Sequence, residues 1–119
     1  MAELSTLARP YARAAFEYAS EAGDLKGWSN SLGTASSVAK QPSVVHLLNS
    51  PSSTAAEQAE ALMEICGESL SGAGRNFICI LSENRRLKLL PQIAHQFEIM
   101  KANQEKAIEV DVASAQPLD

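Results

Sequence analysis

Residues 7–19 read LARPYARAAFEYA, and the architecture of the whole chain turns on this stretch. It is rich in alanine, the strongest helix former, and interrupted only by Pro10. A helix that begins within Ser5 to Arg9 puts Pro10 in its first turn, where a missing N–H does little harm. The helix then runs through YARAAFEYASEA to Gly23, a residue suited to the left-handed position after a helix end. Its apolar residues cover too many sides. Leu4, Leu7, Tyr11, Ala14 and Tyr18 form one stripe, while Ala8, Ala12, Ala15, Phe16 and Ala19 spread over much of the remainder. A surface helix normally has one apolar face. The pattern therefore admits two readings: a helix central in a bundle, or a helix with one face on the core and another on a partner.

The rest of the chain supplies more helices, punctuated by Pro, Gly and Ser. Asp24 is an N-cap candidate for a second helix whose Leu25, Trp28, Leu32, Ala35 and Ala39 share a face. Gln41 precedes Pro42 and is pushed out of the helical region. A short helix is expected over Val44 to Leu48. Thr54 and Glu57 form a T-x-x-E capping box that opens a fourth helix with the stripe Ala55, Ala59, Leu62 and Cys66, stopped by Gly67. Ser69 to Gly74 reads as a loop. A fifth helix is expected from about Arg75 to Asn84, and its Phe77, Ile78, Cys79, Ile80 and Leu81 point all round the axis. A sixth starts near Pro91, carries Ile93, Phe97 and Met100 on one face, and fades near Glu105. Beyond it, Ile108, Val110 and Val112 alternate with Glu109 and Asp111, the period of a strand. The reading is an all-α, six-helix bundle over residues 1–105, with a short extended tail over 106–119.

Composition narrows the function. The 119 residues suit one domain; 45% are hydrophobic and 20% charged, so neither a disordered tail nor a membrane span is expected. Ten basic against 14 acidic residues give a net charge of −4, and aromatics are 5%. Nucleic-acid binders carry a basic footprint, so no nucleic-acid partner is expected. Cys66 and Cys79 lack CxxC spacing and read as small core hydrophobes of a reducing compartment. The N-terminus has no secretory h-region. His46 and His95 lack metal-ligand spacing, and no serine stands in a nucleophile-elbow setting. Gly72-Ala73-Gly74 is too short for a phosphate loop. No catalytic, cofactor or metal residues are expected. What remains is a binding module. The many small side chains of helix one allow a partner helix to approach closely, with Tyr11 and Tyr18 as anchors.

Specific motifs agree with that reading. The opening LARPYARAAFEYA, Trp28, NFICIL over Asn76 to Leu81, SENRRLKLLPQI over Ser82 to Ile93, and EVDVASA over Glu109 to Ala115 together resemble the delta subunit of bacterial F-type ATP synthases. That subunit is the counterpart of the mitochondrial oligomycin-sensitivity-conferring protein. The resemblance implies a six-helix N-terminal domain without catalytic activity. This domain sits on the catalytic head and holds the N-terminal helix of an alpha subunit between helices one and five. It implies Tyr11, Ala14 and Tyr18 on one side of that groove, and Asn76, Ile80 and Glu83 on the other. For Glu83 a solvated surface position is the alternative. It also implies a C-terminal domain beyond Asp119 that contacts the b subunits of the peripheral stalk. The location implied is peripheral, on the cytoplasmic side of the bacterial inner membrane. A small helical adaptor with an unrelated partner is the other reading of the same surface.

Overall fold

The computed structural model describes the backbone of residues 2–115 and the side chains of residues 3–107. Among the described residues there are six α-helices and no strand. They are α1 Ala2–Ala22, α2 Leu25–Ala39, α3 Pro42–Leu48, α4 Ala55–Cys66, α5 Gly72–Glu83 and α6 Leu90–Ala115, with single 3₁₀ turns at Gly67–Ser69 and Leu87–Leu89.

The punctuation follows local chemistry. After α1, Gly23 adopts φ +69; its N–H donates to the Ser20 carbonyl at 3.1 Å, and the Asp24 N–H to the Ala19 carbonyl at 2.9 Å. These two bonds satisfy carbonyls that the helix end would otherwise orphan. Asp24 then caps α2 by accepting from the Gly27 N–H at 3.1 Å. The expected capping box is present: the Glu57 N–H donates to Thr54 Oγ1 at 3.1 Å, and the Thr54 N–H to Glu57 Oε1 at 2.8 Å.

α3 starts at Pro42, two residues before the expected Val44, and three further boundaries depart from the sequence-based expectation. First, α1 starts at Ala2, so Pro10 lies inside the helix rather than in its first turn. Pro10 is exposed, and the turns on either side carry the helix through the residue that cannot donate. Second, α5 starts at Gly72 instead of near Arg75, because Ser71 accepts from the Gly74 N–H at 3.0 Å and that cap offsets the two glycines in the first turn. Third, α6 passes Glu105 and runs to Ala115, so the backbone of the alternating segment 108–112 is helical rather than extended. A lone strand leaves its backbone groups unpaired, whereas a helix pairs them within itself. Residues 116–119 of the expected tail lie outside the described residues.

The core forms around the first half of α6, which packs against both α1 and α2, while α4 packs against α5. Phe97, Ile93, Leu90, Leu62, Ile78 and Leu81 are fully buried. The α1 face turned inward is a row of alanines, Ala8, Ala12, Ala15 and Ala19, at 0–2% exposure. Small side chains let α1 lie close to the bundle, and Phe16 packs edge-on against Phe97 with ring centroids 5.8 Å apart. A buried polar knot ties α3 to α4. Gln58 Nε2 donates to Ser53 Oγ at 2.8 Å and to the Leu47 carbonyl at 3.2 Å, and Ser53 Oγ donates to the Leu47 carbonyl at 3.1 Å. Arg85 occupies the left-handed position after α5 at φ +56, and its Nη1 donates to the Ser53 carbonyl at 3.1 Å. Its role is thus a tertiary tie, beyond the dipole complement its place after a helix suggests.

Candidate partner-binding groove

α1 and α5 run past one another with their main packing partners elsewhere, on α6 and α4 respectively. Between them lies a cavity of about 250 Å³. Ala14, Ala15 and Tyr18 line it from α1; Ala73, Asn76, Phe77 and Ile80 line it from α5; Trp28 of α2 completes it. The alanines leave the space, because a methyl group is the largest side chain they offer. Three aromatic rings in tilted and edge-on contact line it. Tyr18 and Trp28 have centroids 5.5 Å apart, and Trp28 and Phe77 meet edge-on at 5.6 Å. Trp28 and Phe77 are 5% and 9% exposed, so they belong to the core while lining the groove. Tyr18 at 53% and Ile80 at 42% stand out into solvent. Exposed apolar side chains beside this concave, mostly apolar surface make it the candidate interaction site.

The sequence-based candidates divide. Ala14, Tyr18, Asn76 and Ile80 come together in this groove. Tyr11 and Glu83 are not among its lining residues: Tyr11 is half-buried against the core, and Glu83 is exposed in the last turn of α5. Helical spacing assigns Trp28 to the core and does not single out Ala73 or Phe77 as groove residues. The signal for Phe77 is its place one residue after Asn76 in a helix apolar on all sides. The run of five apolar residues resolves simply: Phe77, Ile78 and Leu81 are buried, Cys79 is half-buried and Ile80 points outward.

Other concavities differ in chemistry. A cleft of about 410 Å³ where α2, α3 and the start of α6 meet is flanked by Lys40 and Lys88. The outer side of α1 carries a shallow depression between Arg9, Arg13 and Glu17. Among the described residues no group of three His, Cys, Asp or Glu side chains is arranged to hold a metal ion. His46 and His95 are exposed. Both cysteines are free, and burial pushes the Cys66 thiol above its ordinary pKa, outweighing the opposite pull of Arg75. A neutral, buried thiol is a packing residue rather than a nucleophile. Among the described residues no helix is long and apolar enough to cross a membrane.

Comparison with known proteins agrees with the motif reading. A family model described as the ATP synthase delta (OSCP) subunit matches residues 7–119. The ATP synthase subunit delta of Teredinibacter turnerae (strain ATCC 39867 / T7901) is 48% identical over 119 residues, covering 100% of this chain and 67% of the relative. The ATP synthase subunit delta of Thioalkalivibrio sulfidiphilus (strain HL-EbGR7) is 45% identical over 118 residues, covering 99% of this chain and 66% of the relative. The chain thus spans about two thirds of the length of these curated relatives.

Proposed function

The chain belongs to the ATP synthase delta (OSCP) family, and on that premise we propose that its bundle is the head-binding half of a peripheral-stalk joint. Its partner is the N-terminal helix of an alpha subunit, seated between α1 and α5. The joint performs no reaction. It holds the catalytic head against the torque of the rotor, from a peripheral position on the cytoplasmic side of the inner membrane. Contact with the b subunits belongs to the part of the family's length that lies outside residues 1–119, and residues 106–119 lead toward it.

The observation that carries this reading is the groove itself: a carbon-lined cavity of about 250 Å³ bordered by exposed Tyr18 and Ile80. An amphipathic helix fits such a surface through apolar residues at helical spacing. Tyr is a favoured anchor because its ring is rigid and its hydroxyl tolerates water. A static joint under load needs slow dissociation more than fast association, and well-packed apolar anchors supply that.

The test is calorimetric titration of the chain with a synthetic peptide of an alpha subunit's N-terminal segment. One-to-one binding is expected, weakened at least roughly hundredfold in Ala14→Asp, which places an unpaired charge in the apolar groove. Binding that ignores Ala14→Asp in a folded sample moves the partner to another surface. No binding at all favours an adaptor with an unrelated partner.

A further inference from the structure

Asn76 is out of place by local criteria. It lies in the second turn of α5, where asparagine is a poorer helix former than alanine or leucine. Its amide does not offset that penalty inside the chain. The α5 cap is Ser71, one turn earlier. Asn84 at the other end of α5 donates from Nδ2 to the Ile80 carbonyl at 3.1 Å, whereas the Asn76 side chain has no hydrogen bond among the described residues. Yet Asn76 faces the groove, among Ala14, Ala73, Phe77 and Ile80. Apart from the Tyr18 hydroxyl and the Trp28 indole N–H, it brings the groove's side-chain polarity, with an amide donor and an amide acceptor side by side on one plane.

We propose that Asn76 selects the partner and sets its register: the bound helix presents one uncharged side chain able to donate and accept, such as Ser, Thr, Asn or Gln, against the Asn76 amide, within an otherwise apolar face. This rests on the groove being the partner site. A helix laid over α1 and α5 removes water from Asn76. An amide buried without a partner weakens binding by roughly ten- to hundredfold, so an all-apolar face is rejected and a face with its polar residue one turn out of place is rejected too. A charged residue at that point fares worse, because no ionic side chain lines the groove to meet it. A single polar residue in an apolar helix seam is known to fix register at a cost in affinity. Groove apolarity supplies the attraction, and Asn76 supplies the discrimination.

The experiment is a double-mutant cycle by calorimetry. The chain and its Asn76→Leu variant are each titrated with the alpha-subunit N-terminal peptide and with peptides in which each uncharged polar residue is replaced singly by Leu. Asn76→Leu replaces an exposed helical residue by a better helix former, so the variant folds, and circular dichroism verifies this. Expected is one peptide position whose replacement weakens binding to the native chain roughly tenfold or more and leaves unchanged, or tightens, binding to Asn76→Leu. Equal ranking of all peptides by the two proteins overturns the proposal while leaving the groove reading intact, provided Ala14→Asp still abolishes binding. Loss of sensitivity to Ala14→Asp overturns the groove reading, and with it this role for Asn76.

Discussion

The two faces of α1 use the same residue for opposite ends. Ala15 and Ala14 are neighbours in sequence, yet Ala15 is 2% exposed and Ala14 stands in the open on the groove. On the inner face, alanine sets how close α1 lies to the bundle; on the outer face, in the proposed role, it sets how close a partner helix can come. Smallness stabilises the fold in the first case and leaves room in the second. An alanine-rich helix that is apolar on all sides therefore does not have to be central in a bundle.

The contrast is testable face by face. The largest effect is expected inside. Phe97→Ala removes the ring on which Phe16 rests and leaves a cavity beneath α1, costing about 3–5 kcal/mol in denaturant unfolding. A loss under about 1 kcal/mol would mean that α1 is held by something other than that seam. Next comes a gain. Pro10 is exposed in the helix interior, and Pro10→Ala restores a backbone donor, so thermal unfolding should show stabilisation of up to about 3 kcal/mol. Destabilisation instead would show that the inner face depends on a bend at Pro10. Ala12→Leu, at a position 0% exposed, should cost about 1–3 kcal/mol by overpacking the seam. The smallest effect on stability is expected outside: Ala14→Asp should cost less than about 1 kcal/mol while removing peptide binding. If Ala14→Asp instead destabilises as strongly as Ala12→Leu, the outer face belongs to the fold.

Much of this molecule is legible in its amino-acid sequence. Asp24, the Thr54–Glu57 box, Gly23 and Gly67 mark helix ends through short-range hydrogen bonds and backbone sterics, which depend on neighbours a few residues away. Of the stripe Leu25, Trp28, Leu32, Ala35 and Ala39, the last four are buried as the spacing predicts, and Leu25 at the start of α2 is half-buried. Where local rules are outweighed, the cause is identifiable. The Ser71 cap holds two glycines in helix, α1 continues through Pro10, and the alternating segment near residue 110 has no strand to pair with among the described residues. The knot joining Ser53, Gln58 and the Leu47 carbonyl, with Arg85 on the Ser53 carbonyl, is not legible, because it links residues whose sequence separation carries no periodic signal.

Helices, caps and family are properties of the linear chain, since they reside in short windows and in motifs that stand in it as written. So is the excess of apolar surface on α1 and α5, which is more than one face needs. Which part of that surface is core and which is groove is decided only by tertiary packing. Burial depends on what lies opposite: α6 covers the alanine row of α1 and α4 covers one side of α5, while Tyr18, Asn76 and Ile80 are left around the edge of a buried tryptophan. In the same packing Tyr11 and Glu83 lie outside the lining of the cavity. Helical spacing fixes the direction in which a side chain leaves its own axis, and the placement of the neighbouring helices fixes what it meets.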